Sequence, residues 1–116
     1  MPEFNKVTSE IRAKLENIVG KVNVSDHKDD LDKHAIDESP LKPHPPTLVV
    51  SPSSTEQIQG VLKLANDELI PVTPQGSRTG LSGASHPVHS GIALNLEGMN
   101  KIIEIDEDNL MAIVEP

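Results

Sequence analysis

The sequence predicts an α+β fold, a small mixed sheet with a βαβ unit and a C-terminal hairpin, flanked by helices. Three observations predict it. Apolar residues recur at helical spacing over 7–19 and 54–67. Short apolar, β-branched runs stand at 47–51, 70–73 and 92–96. Two further runs, 101–105 and 110–114, enclose a polar turn at 106–109, the pattern of an antiparallel hairpin.

The elements follow in order. In the first helix Val7, Ile11, Leu15 and Ile18 share one face, Thr8 is placed to cap the N-terminus, and Gly20 stands where a left-handed C-terminal residue belongs. Val22 and Val24 suggest a short strand. Residues 25–39 are acidic and poor in apolar groups; they read as a helical turn capped by Ser25 or Asp26, then a solvated loop. Four prolines in PLKPHPP (40–46) exclude regular structure and predict an extended connector.

After the connector, TLVVS (47–51) reads as a buried strand. Ser53 and Glu56 read as a capping box, with Ile58, Val61, Leu62 and Ala65 behind them at helical spacing. Residues 70–73 form the next strand, ended by Pro74. Strand, helix and strand in this order predict a right-handed βαβ unit with two parallel strands.

Composition narrows the function. The chain has 116 residues, enough for one small domain, and 35% of them are hydrophobic. Phe4 is the only aromatic residue, so there are no rings to stack on bases. Eighteen acidic against ten basic residues give a formal net charge of −8, which disfavours nucleic acid and anionic membrane surfaces. There is no transmembrane-length apolar run and no signal-peptide pattern, and a cytoplasmic location is expected. The absence of cysteine removes disulfides, thiol nucleophiles and thiolate zinc sites.

The loop that follows the second strand carries the chemistry. Pro74, Gln75, Gly76, Ser77, Arg78, Thr79, Gly80, Leu81, Ser82 and Gly83 lead into Ala84 and Ser85. Gly76, Gly80 and Gly83 permit positive φ and close backbone approach. Successive N–H groups in such turns make an anion-binding nest, and Ser77, Thr79, Ser82 and Ser85 add hydroxyl donors. Between Glu68 and Glu97 the only formally charged residue is Arg78. A surface loop of turn-forming residues has the same composition, and the residues alone leave that alternative open. A P-loop is excluded because Leu81 and Ser82, not Lys and Ser/Thr, follow Gly80. The Rossmann fingerprint needs a helix after the loop, whereas His86, Pro87 and Gly91 lead into a strand.

Three segments in sequence carry a family resemblance: PPTLVVSPSSTEQIQGVLKLAND, IPVTPQGSRTGLSGAS, and GIALNLEGMNKIIEIDEDNLMAIVEP. Over about Val22 to Pro116 the chain resembles the N-terminal part of the vanillyl-alcohol oxidase (PCMH-type) FAD-binding family, in its glycolate oxidase D-type subunit and D-lactate dehydrogenase branch. The resemblance implies residues 1–46 as a helical segment and Pro-rich connector, and 47–116 as the first part of an FAD-binding domain that is incomplete at its C-terminus. It implies FAD with its pyrophosphate on residues 74–83, and oxidation of a small 2-hydroxy acid to a 2-oxo acid by hydride transfer to the flavin. Where the family often has Arg and two further glycines, this loop has Gln75, Ser77 and Arg78. Members that attach FAD covalently here use a His near the Thr79 position, so the resemblance implies non-covalent FAD. The family's catalytic residues lie outside this chain, and none is assigned. By itself the chain is expected to be inactive and to self-associate through its last strands. The alternative is a non-catalytic binding or interaction module on the same scaffold.

Other constellations are weaker. His86 and His89 form H-x-x-H, but Pro87 intervenes and no third ligand is near in sequence, so no metal site is assigned. His27 and His34 fall in the acidic, solvated segment. Glu104, Asp106 and Asp108 lack the glycine and terminal Glu of a calcium loop. No serine of the loop has a paired base at a defined spacing.

Overall fold

A computed structural model describes residues 3–116. Helix α1 (Ser9–Val19) is capped by Thr8, whose hydroxyl accepts from Ile11 N–H at 3.2 Å. Gly20 ends it with φ +93° and ψ 143°; φ is positive as expected, but the residue is not in the left-handed helical region. A 3-10 turn at Lys21–Asn23 takes the place expected for part of a strand and leaves Val22 in solvent; strand β1 is only Val24–Ser25. Helix α2 (Lys28–Lys33) has His27 at its N-cap rather than Ser25 or Asp26. Ser25 acts one step earlier, its hydroxyl accepting from His27 N–H at 3.2 Å.

Strand β2 (Leu48–Val50) is buried throughout, and helix α3 (Thr55–Asp67) follows it. The cap of α3 is Ser54, one residue beyond the expected Ser53, and its hydroxyl accepts from Gln57 N–H at 3.2 Å. Gln57, not Glu56, reaches back, accepting from Ser53 N–H at 2.7 Å. The box is therefore shifted by one residue.

Strand β3 (Val72–Gln75) contains Pro74 instead of stopping before it. The strand order β1-β2-β4-β3, with β4 at Ile92–Asn95, puts β3 at an edge, where a missing N–H leaves no ladder bond unmade. Strands β2 and β3 are parallel as the βαβ reading predicts, but they are not neighbours: β4 lies between them and parallel to both. Strand β1 pairs antiparallel with β2, which makes the sheet mixed.

The register aligns Leu48 with Ile92 and Val50 with Leu94. These four side chains form one core with Ile11, Leu15 and Val19 of α1 and Val61 and Ala65 of α3. Val49 and Ala93 point to the opposite face and are buried too, so the central strands read as unbroken apolar runs. Strands β5 (Ile102–Asp106) and β6 (Met111–Val114) form a separate antiparallel hairpin. Its Ile102, Ile103, Ile105, Met111, Ile113 and Val114 are each about half exposed or more. No helix among the described residues is long and apolar enough to cross a membrane.

Candidate functional site

Parallel neighbours need a crossover of a dozen or more residues, usually helical. Here β3 and β4 are joined by residues 76–91 with no helix, so the glycine-rich stretch returns from the end of β3 to the start of β4 as turns and bends. The segment is held from both ends. Leu96 N–H donates to the Gln75 carbonyl at 2.9 Å, and Ile92 N–H to the Pro71 carbonyl at 2.9 Å.

The glycines divide into two kinds. Gly83 has φ +82° and its missing Cβ would overlap Leu41 Cδ1; Gly91 has φ +69° and would overlap the Pro71 carbonyl oxygen. These two serve the fold. Gly76 and Gly80 have φ outside the left-handed region, contrary to the expectation that they use positive φ, and a Cβ built on either meets nothing within 4 Å. What they provide is bare, accessible backbone. Ser77, Thr79, Leu81 and Ser82 stand around them on the exposed part of the loop, with Ser77 Oγ 3.4 Å from Thr79 Oγ1. The positive φ in this stretch falls instead on Arg78, at +57°.

Gln75 points the other way. Its side chain is 1% exposed, and Nε2 donates to the carbonyls of His34 (2.8 Å) and Ser85 (2.7 Å). With the amide nitrogen so used, Oε1 accepts from His34 Nδ1–H at 2.6 Å, which fixes the imidazole tautomer. Burial, opposed by the Gln75 hydrogen bond and reinforced by the Arg78 charge, holds the His34 pKa below its ordinary value. A segment read as solvated thus supplies a buried histidine.

His86 Nε2–H donates to Asp37 Oδ1 at 2.8 Å, with both side chains 0% exposed. Ser39 N–H donates to the same oxygen at 2.8 Å. Hydrogen bonding from Ser39, opposed by burial and reinforced by His86, keeps the Asp37 carboxyl below its usual range. His44 stands edge-on to His86, ring centroids 5.6 Å apart. Asp37 Oδ2 is buried without a hydrogen-bond partner. His89 lies elsewhere, its ring 5.1 Å from that of Phe4, so the two histidines of H-x-x-H do not converge.

Arg78 neither points to solvent nor stands free. Its guanidinium is 3.0 Å from Glu97 Oε1, and its side chain is 10% exposed. The stretch around the loop is therefore cleared of carboxylates in sequence but not in space: Asp37, Glu38 and Glu97 all come to its edge. A groove of about 520 Å³ opens from Gly76 and Ser77 towards Met99, Lys101, Ile102 and Val114 of the hairpin region.

The FAD binding domain family matches residues 46–116, the stretch that includes β2, α3, the loop and the hairpin. The chain belongs to this FAD-binding family. It is 32% identical over 110 residues to the glycolate oxidase subunit GlcD of Bacillus subtilis, covering 95% of this chain and 23% of that protein. It is 38% identical over 116 residues to a D-lactate dehydrogenase of Anaerostipes hadrus, covering 97% and 24%. The structure of p-cresol methylhydroxylase with substrate bound superposes with a TM-score of 0.72 at 32% identity, over 86% of this chain and 21% of that one. The fold is that of a PCMH-type FAD-binding domain. The chain spans about a quarter of the length of the curated relatives it matches.

The loop suits a diphosphate. Bare backbone at Gly76 and Gly80 permits the approach a phosphate oxygen needs, the hydroxyls supply further donors, and Arg78 supplies one cation beside them. The network behind the loop escaped sequence reading. Its members lie 41 and 49 residues apart along the chain, beyond any local pattern.

Proposed function

We propose that residues 47–116 are the first part of the FAD-binding domain of a flavin-dependent oxidoreductase. Its reaction is oxidation of a 2-hydroxy acid, of glycolate or D-lactate type, to the 2-oxo acid. The hydride leaves the hydroxyl-bearing carbon for the flavin. The names of the glycolate oxidase and D-lactate dehydrogenase relatives support the substrate class. Gly76, Ser77, Arg78, Thr79 and Gly80 take the pyrophosphate. Leu81 and Ser82 continue the cradle, Gly83 closes it from behind against Leu41, and Pro74 and Gln75 anchor its entry. FAD is held non-covalently, because the Thr79 hydroxyl replaces the histidine that a covalent link would use. The protein works in the cytoplasm.

The observation that carries this reading is the open space over Gly76 and Gly80 in a loop otherwise tied down on its far side. Residues 1–116 alone hold the pyrophosphate end and leave the isoalloxazine without partners, so this polypeptide binds FAD weakly and turns over no substrate. Flavin titration of the complete apoprotein tests the reading. Gly76→Val and Gly80→Val lower FAD affinity, whereas variants that bind as tightly as the parent would remove the loop from the site. Purification of residues 1–116 as a yellow protein with stoichiometric flavin would contradict the claim about the isolated polypeptide.

A further inference from the structure

The pyrophosphate loop has a built back wall, and it comes from a part of the chain that lies before the family-matched stretch. Residues 35–44 form a closed turn, tied by His44 N–H donating to the Ala35 carbonyl at 2.9 Å. This turn and His34 meet the glycine loop at successive points. Gln75 Nε2 donates to the His34 carbonyl at 2.8 Å. Glu38 N–H donates to the Gly80 carbonyl at 3.1 Å. Leu41 lies against Gly83, so that a Cβ there would displace its Cδ1. Asp37 accepts from His86 at 2.8 Å.

None of these ties places an atom within 4 Å of the Cβ direction of Gly76 or Gly80. A glycine-rich segment without such ties would sample many shapes, and a ligand would bear the entropy of ordering it. Polar groups that are fully buried and mutually bonded hold one arrangement. From this geometry we infer that His34, Asp37 and His86, with Gln75, are positioning residues for FAD: they act through the loop backbone and touch no cofactor atom. The inference rests on the pyrophosphate reading proposed above.

The test is flavin titration of the complete apoprotein in parallel with thermal unfolding, comparing the parent, Gly76→Val, His86→Leu, His86→Gln and His44→Ala. A glutamine amide places its N–H near the position of Nε2, so His86→Gln restores the donor to Asp37 while His86→Leu removes it. Loss of this bond is expected to weaken FAD about tenfold in His86→Leu, the size of one charge-assisted hydrogen bond. His86→Gln is expected to bind within about threefold of the parent, a recovery that a purely volumetric role for the ring would not give. His44→Ala, on the half-buried connector, keeps the core if His86→Leu does not fold, and is expected to weaken FAD about threefold through a freer His86. If Gly76→Val loses FAD while His86→Leu, or His44→Ala in its place, binds as the parent does, the positioning inference is wrong and the pyrophosphate reading stands. If His86→Gln binds no better than His86→Leu, the hydrogen bond is not the device and the inference fails. If Gly76→Val also binds normally, the pyrophosphate reading falls and takes the inference with it.

Discussion

Gly91 and Gly80 sit in one loop but in opposite surroundings, the one crowded by Pro71 and the other open, and one substitution at each separates them. At Gly91 φ is +69°, and alanine there costs about 1–2 kcal/mol in backbone energy. Its Cβ would also overlap the Pro71 carbonyl oxygen and come within 2.6 Å of Pro71 Cγ. That oxygen already accepts from Ile92 N–H at 2.9 Å, so it cannot retreat without loosening the β3–β4 ladder. Overpacking of this kind adds about 1–3 kcal/mol. Gly91→Ala is therefore expected to destabilise by about 2–5 kcal/mol. With a urea m-value of about 1–3 kcal/mol per molar, the unfolding midpoint falls by roughly 1 M or more. At Gly80 φ is outside the left-handed region and no atom lies within 4 Å of the added methyl, so Gly80→Ala leaves stability unchanged or raises it by up to about 1 kcal/mol. Urea unfolding of the two variants beside the parent is the assay. Equal midpoints for Gly91→Ala and Gly80→Ala would refute the division of the loop into fold glycines and ligand glycines.

Three further outcomes follow from the same structure. The unfolded chain takes up a proton on His34 near pH 6.5 while burial makes the folded ring resist it; Gln75 and Glu97 favour the charge, and Arg78 and Lys33 add to the opposition. Stability from this site is thus fully present above about pH 6.5 and is lost as pH falls through the lowered folded value, so unfolding midpoints measured at descending pH should drop less in His34→Asn, which keeps a donor for Gln75 without titrating. Because Glu97 holds Arg78 at 3.0 Å, a phosphate must compete for the guanidinium. Titration of the complete apoprotein should find FAD weakened by about 1.5–3 kcal/mol in Arg78→Ala and tightened by up to about 1 kcal/mol in Glu97→Gln; unchanged affinity in both would show that Arg78 serves Glu97 alone. The exposed β5–β6 hairpin, with Ile103 64% and Ile105 65% exposed, should make residues 1–116 self-associate, and Ile103→Lys should reduce this; sedimentation as a monomer at high concentration would contradict it.

Much of the fold was legible because it is local. The stripe of Ile11, Leu15 and Ile18 and that of Ile58, Val61 and Ala65 locate α1 and α3, and the runs LVV and IAL locate β2 and β4. Strand order was not legible. Nothing in residues 72–75 or 92–95 states that β4 inserts between β2 and β3, since pairing is decided by which faces can be buried together. Pro74 misled for the same reason: proline stops a central strand, and only the edge position of β3 excuses it. The glycine loop was legible as a motif, but the uses of its glycines were not, because φ and the space over a missing Cβ depend on Leu41 and Pro71, which arrive from other parts of the chain. His34 and Asp37 were read as solvated on the strength of their acidic neighbours. Their burial depends on Gln75 and His86, whose own polar groups are satisfied by them in return.

In the proposed function the FAD pyrophosphate lies on the open face of residues 76–80. A structure of the complete protein with FAD measures this directly. Pyrophosphate oxygens are expected within about 3.2 Å of backbone N–H groups in that stretch, over Gly76 and Gly80, with the His34–Gln75 and Asp37–His86 bonds intact behind them. A pyrophosphate seated elsewhere, with Gly76 and Gly80 still facing solvent, would contradict it.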